Sequence, residues 1–500
     1  MSLSAAFNII NSSFRAIGAQ TATISGNVAN ANTPGYSRQI ASPITDAFNG
    51  VAVTSVTRVA NAALAARVNL ATSDSAAQAA ISGGLAVLAQ TVSDSYTATT
   101  AGAQQNGNSP FALLANFRVA LSTYEAQPSS ITAAQAAVTA AGQVTSSLNA
   151  GAAAVTQVRT QADQSIAQAV GTVNTLLAKF HAVNNSIISG LGSGENVGGL
   201  QDTRDSIVTQ LSQQMGITTS LNPNGSMSIF TDNGATLFQN APSNVTFAPS
   251  GTLGPNQTGT QLYINGQQIT GSSTNTPLQS GAIAGLLQLR DTIAPQYQAQ
   301  LDQVAGNLIT AFQETDQSIT TTGLPPLPGL FTTQGATSVP PSPTWAGLAN
   351  SIVVNPNVDA AQGGNAFLLR DGGISDTADQ NYTYNSSGQS GYTGRLTQMV
   401  SALTSPMSFS SGAGLGASAS ITDYSNASVS WLQGANQQAS GAAAYQSSLQ
   451  TQASSALNNA TGVNLDNELT NMLTIESSYT ASAKLLTTVS GMLKTLVNAV

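Results

Sequence analysis

Few residues in this 500-residue chain could do chemistry, and they are scattered. His181 is the only histidine, and it sits between Phe180 and Val183 in a run with helical apolar spacing. With no cysteine present, thiolate nucleophiles and disulfides are excluded, and a zinc site would need an atypical ligand set. A Ser-His-Asp triad would have to centre on His181, yet no Gly-x-Ser-x-Gly elbow accompanies it. Asp202 and Asp205, Asp371 and Asp376, and Asp466 and Glu468 are carboxylates close in sequence. Helix capping and solvated faces account for them more simply than catalysis does. The acid–base alternative is glycoside hydrolysis by two carboxylates across a cleft, confined to the region after residue 321. The glycine-dense stretch from Gly190 to Gly199 lacks the Gly-Lys-Ser/Thr ending of a phosphate loop, and Asp371-Gly372-Gly373 does not continue as a calcium loop. No enzymatic role, cofactor or metal is expected.

Composition narrows the classes further. Only 7% of residues are charged, against about 25% in an average globular protein. A surface of Ser, Thr, Asn, Gln, Ala and Gly offers little repulsion between copies, which suits ordered stacking. The formal charge of −8, with 13 Lys plus Arg, leaves no basic stripe for nucleic acid. Arg15 interrupts the amphipathic N-terminus, so no cleavable signal is expected there. No apolar run reaches 18 residues, so no membrane insertion is expected.

The elements that would position these residues are mostly helical. Residues 2 to about 30 read as one helix, stopped by Asn30, Asn32, Thr33, Pro34 and Gly35. Tyr36 to Val59 reads as extended, and Ala60 to about Thr99 as helix, followed by a turn from Gly102 to Pro110. Helices are expected over Phe111–Tyr124, about Ser130–Ile188 and from Leu200 to Met215, with Arg204 and Asp205 facing solvent or neighbouring helices. Short strands follow at Ser226–Phe230, Thr236–Phe238 and Val245–Phe247. A hairpin is expected over Gln261–Ile269, turning at Asn265-Gly266. Helix returns over Ile283–Thr315, where Pro295 kinks it or starts a new turn. From Thr321 to about Ser410 prolines cluster, including Pro325, Pro341 and Pro343, and Phe331, Trp345 and Ile352–Val354 are the anchors expected of a strand-rich unit. The last helices begin beyond Asp423 and near Val463, the latter capped by Asn464 or a neighbour.

Both ends carry a seven-residue apolar repeat. Leu3, Ile10, Ile17 and Ile24 form one series, with Phe7, Phe14 and Val28 in the complementary set. At the far end Leu465, Met472, Tyr479, Leu486, Leu493 and Val500 recur, with Ile475, Val489 and Leu496 between them. Such a face is either the core side of helices within one globule or a surface for assembly. Its presence at both ends, with almost no flanking charge pairs, favours ends that pair and gain order against neighbours. The fold class expected is multidomain α+β. Residues 1–59 with 463–500 would form an inner domain of paired terminal helices. Residues 60–320 with 423–462 would form a long-helix bundle with a small β subdomain at about 217–280. Residues 321–422 would form a mixed, mostly-β distal insert.

Asn27-Val-Ala-Asn30-Ala-Asn32-Thr33-Pro34-Gly35-Tyr36-Ser-Arg-Gln39 resembles the N-terminal motif of bacterial flagellar rod, hook and hook-associated proteins. Its Tyr-Ser-Arg-Gln ending is similar to the hook-associated protein 1 family of hook–filament junction proteins. Leu200–Ser212, Gly285–Asp291 and Gly462–Leu469 running into Tyr479–Lys484 resemble further segments of that family. Phe14–Gln20 departs from the Leu-rich beginning of relatives, and Ile475–Ser478 from their glutamine-containing run. The resemblance implies a structural adaptor with no catalytic activity, exported through the flagellar type III apparatus without a cleaved signal and sited outside the cell at the hook–filament junction. It implies as partners the hook protein, a second junction protein on the filament side, copies of itself in a ring, and an export chaperone on the C-terminal helix. The implied polymerisation surface is Leu3, Phe7, Ile10, Phe14, Ile17, Ile24 and Val28 with Leu465, Met472, Ile475, Tyr479, Leu486, Val489, Leu493 and Leu496. The alternatives are another axial protein, such as hook or distal rod, and a secreted glycan-binding or glycan-cleaving protein.

Overall fold

A computed structural model describes residues 3–46, 50–99, 102–271, 277–318, 323–341 and 345–499. Val500, Pro343 and the start of the proline-rich insert at Thr321 lie outside these residues. Helix α1 (Leu3–Ala29) gives way to a turn in which the Tyr36 N–H donates to the Thr33 carbonyl at 3.2 Å. Pro34 holds its second position and Gly35, at φ +78°, its third, the residue pattern of a type II turn. The extended segment then folds on itself as an antiparallel hairpin of β1 (Gln39–Asp46) and β2 (Gly50–Arg58), with a register shift at Ser42/Pro43 where proline lacks a donor.

Helix α2 (Ala62–Ala89) stops ten residues short of the expected Thr99. A 3-10 turn and a second hairpin, β3 (Asp94–Thr99) with β4 (Gly102–Gly107), take its place. The Thr91 hydroxyl donates to the Leu88 carbonyl, and Asp94 accepts the Ser109 N–H at 3.1 Å. Side chains that bond their own backbone compete with the helix here. Ser109 caps α3 (Pro110–Ala126), and Ser130 caps α4 (Ile131–Ser193). At 63 residues α4 is about 95 Å long and serves as the spine of the molecule. Helix α5 (Gly198–Gln214) folds back along it.

Two three-stranded antiparallel sheets follow, β5 (Ile217–Leu221), β6 (Met227–Thr231) and β7 (Thr236–Phe238), then β8 (Val245–Thr246), β9 (Tyr263–Ile264) and β10 (Gln267–Gln268). Asn265 at φ +50° and Gly266 at φ +80° supply the two left-handed residues of the β9–β10 turn. Helix α6 (Ala282–Gln288) runs through a π turn at Leu289–Ile293 into α7 (Ala294–Ala311), so Pro295 begins a new helix rather than kinking an old one.

The mostly-β expectation for residues 321–422 does not hold. Its strands are two short pairs, β11 (Phe331–Thr333) with β12 (Ile352–Val354) and β13 (Met407–Ser408) with β14 (Ser418–Ala419). Between them lie short helices, α8 (Leu348–Ser351), α9 (Leu368–Asp371) and α10 (Gly394–Ala402), and turns capped by Asn355, Asp359, Asp379 and Ser410. Proline, glycine and capping residues recur too closely for a long ladder. The insert is not a separate core either. Phe331, Trp345, Ile352, Leu369, Leu396 and Phe409 pack into one apolar cluster with Leu88 of α2, Phe117 of α3, Val144 of α4 and Leu308 of α7. Gly306 makes room for it, since a Cβ there would meet the Trp345 ring at 2.3 Å.

Helix α11 (Ile421–Thr461) runs antiparallel along α2, Gln450 reaching Thr72 and Ser440 reaching Ser82, and α12 (Leu465–Asn498) follows after Gly462. A second cluster joins the other half of α4, from Ile166 to Phe180, to Val208, Leu211, Ile229, Phe238 and Ile264. The spine therefore carries two cores, one shared with the insert and one with the small sheets.

Candidate functional site

The two chain ends meet. Phe14 packs edge-on against Tyr479 with ring centroids 5.3 Å apart, while Asn27 reaches Glu468, so α1 and α12 are antiparallel neighbours. Hairpin β1–β2 lies along α1 as a third element, and the Val51 N–H donates to Ser12 Oγ at 3.0 Å.

The repeat residues are unevenly covered. Ile10 and Ile24 are buried, and Leu3, Phe14 and Ile17 are half-buried, as are Met472, Ile475, Leu486 and Val489 of α12. Phe7, Val28, Leu465, Tyr479, Leu493 and Leu496 are exposed, Leu496 by 57%. Two helices and a hairpin have too little surface to cover both stripes, so much of the apolar face is left open.

Where this face ends, the Asn27–Gln39 motif builds a polar junction. Asn27 is 1% exposed. Its Nδ2 donates to the Gln39 carbonyl at 2.8 Å and to Glu468 Oε2 at 3.1 Å. Its Oδ1 accepts the Gln39 N–H and the Tyr36 hydroxyl, both at 2.9 Å. Glu468, also 1% exposed, takes Arg38 Nε on its other oxygen at 2.5 Å. The Arg38 N–H donates to the Thr461 carbonyl at 2.8 Å, which ties the motif to the end of α11. Burial, helped by the Asp202 and Glu468 carboxylates, pushes the Tyr36 phenol above its ordinary pKa and keeps it a donor. Asn30 closes the helix end by donating to the Gly26 carbonyl, and Thr33 Oγ1 donates to Asn30 Oδ1 at 3.3 Å. Asn32 is exposed. A cleft of about 240 Å³ opens beside the junction, walled by Ile24, Arg38, Glu468, Asn471 and Ile475.

Asp202 and Asp205 are not merely solvated. Asp202 accepts the Ser37 N–H at 3.1 Å and Arg58 Nη1 at 2.8 Å, and Asp205 accepts Arg58 Nη2 at 2.6 Å. They anchor α5 to the open end of hairpin β1–β2, where Gln39 pairs with Arg58. Of the two expected settings for Arg204, solvent is ruled out: it is buried, and its Nη1 donates to the Gly225 carbonyl at 2.8 Å. Burial lowers its pKa. The third motif segment behaves alike. Arg290, in the π turn, meets Asp163 of the spine at 2.5 Å and Asp291 at 2.8 Å. Burial works against its charge, but the bonds to Asp291 and Asp163 hold its pKa above the usual value. The one forward signal for this junction was Asn27 itself, an amide at the end of an apolar face; nothing local pairs it with Glu468, 441 positions away.

No catalytic arrangement emerges among the described residues. His181 is half-buried on α4, with Nε2 3.2 Å from Asn185 Nδ2. Asp371 is taken up by Arg370 at 2.7 Å and by Asn385 at 2.6 Å. A groove of about 1160 Å³ is walled by Gln90, Asn116, Gln143 and Ser146 and holds a single carboxylate, Asp359, where hydrolysis of a glycoside would need two. No three His, Asp or Glu side chains converge among the described residues.

Residues 101–323 match the family model of the flagellar hook-associated protein FlgK helical domain. Residues 454–499 match that of the flagellar basal body rod FlgEFG protein C-terminal region. Flagellar hook-associated protein 1 of Escherichia coli (strain K12) is 27% identical over 154 residues, 30% of this chain and 28% of that protein. The Salmonella typhimurium protein of the same name is 26% identical over 154 residues, again 30% and 28% of the two chains. The match thus spans under a third of either curated relative. The solved flagellar hook junction protein FlgK from Burkholderia pseudomallei aligns over 54% of this chain and 46% of its own, at 21% identity and a TM-score of 0.38. The middle of the chain is thus similar to the helical domain of flagellar hook-associated proteins, and its last helices to the C-terminal region of axial rod proteins.

Proposed function

We propose that this chain is a structural adaptor of the bacterial flagellum that joins hook to filament and permits filament assembly. The observation that carries the reading is the pair α1–α12, held together at Asn27, Arg38 and Glu468 while leaving an apolar face open along its length. Leu3, Phe7, Ile10, Phe14, Ile17, Ile24 and Val28 with Leu465, Met472, Ile475, Tyr479, Leu486, Val489, Leu493 and Leu496 form the assembly surface. On the growing structure this face is covered by the hook protein, by further copies in a ring and by the next junction protein. Burial of exposed side chains offsets the ordering of the terminal helices. Before export the same face on α12 is what a chaperone would mask. Residues 1–59 with 463–500 act as the assembly domain, and residues 60–462 as the body that it carries.

Localisation is the direct test. Labelled protein is expected at the hook–filament boundary, and cells without the chain are expected to release filament subunits unassembled. Filaments of normal length in such cells would overturn the adaptor reading. A full chain lacking residues 486–500 is expected to keep its body folded and to fail to incorporate.

A further inference from the structure

The assembly domain is joined to the body without an apolar core. Among the described residues, no apolar cluster contains a member of 1–59 or 463–500. The chain crosses between the two parts at residues 59–61 and again at 462–464. These crossings lie side by side, because Arg38 joins both. Its carbonyl accepts the Val59 N–H and its own N–H donates to the Thr461 carbonyl, each at 2.8 Å. Two adjacent crossings define one line about which the parts can turn. Among the described residues, the other hydrogen bonds between the parts run to α5 and the loop before it. The Gln39 side chain accepts Asn196 Nδ2 at 3.0 Å, and the Ser37 N–H donates to Asp202 at 3.1 Å. The Arg58 fork meets Asp202 at 2.8 Å and Asp205 at 2.6 Å.

We propose that Arg58 is a positioning residue. It locks the assembly domain at one angle on a hinge made by the two crossings, and so sets the direction in which the open apolar face points. The inference rests on the division into assembly domain and body given above. A close-packed apolar interface resists sliding, whereas a small polar one exchanges its bonds with water at little net cost, so turning is the default unless something fixes it. Arg58 can do so. Asp202 and Asp205 are three positions apart on α5 and leave it on the same side. The planar guanidinium gives one terminal nitrogen to each carboxylate, which fixes two points on α5 rather than one. A lysine would supply a point charge on a flexible stem and could not hold both. The clamp is also sheltered, with Arg58 12% and Asp202 10% exposed, so salt screens it weakly. The Gln39–Asn196 bond is neutral and exposed, and Ser37 gives a single bond, so neither sets an angle alone.

The chain has no cysteine, so spin labels go only where one is introduced. Arg15→Cys on α1 and Gln213→Cys on α5 place labels at exposed positions on the two arms of the hinge. By helix rise they stand about 18 Å from Asn27 and about 17 Å from Asp202. Pulsed electron paramagnetic resonance on the full chain reads the distance between them. One narrow distribution is expected with Arg58 in place, and a several-fold broader one with Arg58→Ala and with Arg58→Lys. A second pair, Arg15→Cys with Lys494→Cys, spans α1 and α12 within the assembly domain and is expected to be unchanged by either substitution. An unchanged Arg15–Gln213 distribution in Arg58→Ala, or a narrow one in Arg58→Lys, would overturn the positioning role and leave the adaptor reading standing. So would a broad distribution with Arg58 in place, or a broadening of the second pair, which would mean unfolding rather than turning. Absence of the parent chain from the junction would overturn the adaptor reading and leave the hinge, since these distances are read on the free chain.

Discussion

Replacing Glu468 with Ala tests whether the polar junction holds the chain ends together. The carboxylate is 1% exposed and accepts two bonds, from Arg38 at 2.5 Å and Asn27 at 3.1 Å. A hydrogen bond to a charged group contributes about 1.5–3 kcal/mol, and removing one partner of a fully buried ion pair costs about 3–5 kcal/mol. Arg38 is 28% exposed, so water replaces part of what it loses. Asn27 keeps the Gln39 carbonyl. A cost of about 2 kcal/mol follows, which is about a 30-fold change in a local opening equilibrium. The two cores lie elsewhere along α4, so the loss is confined to α1, the hairpin and the first turns of α12. Hydrogen exchange on the intact chain is the assay, with amides of Gln39–Asp46 and Leu465–Met472 as reporters. Protection there is expected to fall about 30-fold while that of α4 is unchanged. Combining Glu468→Ala with Arg38→Ala is expected to cost less than the sum of the two, because they remove one bond in common. If Glu468→Ala changes protection no more than Glu476→Ala, an exposed carboxylate two turns on, the junction does not hold the ends.

Three further outcomes are expected. Gly306→Ala gains helix propensity worth about 1 kcal/mol but drives a methyl into the Trp345 ring at 2.3 Å. Overpacking of about 1–3 kcal/mol outweighs the gain, so the midpoint followed by tryptophan fluorescence should fall, and a rise would refute the close packing. Burial raises Asp302 to about 6, against three hydrogen bonds from Gly347, Ala349 and Gln298 that lower it. A raised carboxylate binds its proton more tightly folded than unfolded, so its contribution is complete below the unfolded value near 3.8 and is lost as pH rises through about 6. About 3 kcal/mol is at stake over the whole range, and about 1.4 kcal/mol of it between pH 5 and pH 8, so denaturant midpoints at those two values should differ by less in Asp302→Asn than in the parent. Ile17→Asp adds a charge to the half-buried seam, and should impair swarming more than Asp371→Ala, whose site lies in the insert; equal effects would refute the division between assembly face and body.

The sequence by itself determined what is local. The 3-4 spacing of Leu3 to Val28 and of Met472 to Leu496 marked two amphipathic helices, Thr33-Pro34-Gly35 marked where the first one stops, Asn464 its capping role, and Asn265-Gly266 a hairpin. Period and turn chemistry act within a few residues, so they can be read without neighbours. Tertiary structure decided the rest. Whether Thr91–Thr99 continued as helix depended on Asp94 meeting Ser109 across a turn. The insert joined the main core because Trp345 found the gap left by Gly306, 39 residues earlier in the chain. Arg58 with Asp202 became a half-buried pair, and Arg290 with Asp163 a buried one, through contacts more than 120 residues apart. Buried polar groups need partners wherever the chain supplies them, and no local pattern records which partner that is. Asn27 was legible as a motif residue; that it clasps Glu468, and so brings the two ends of the chain into one surface, was settled only by the fold.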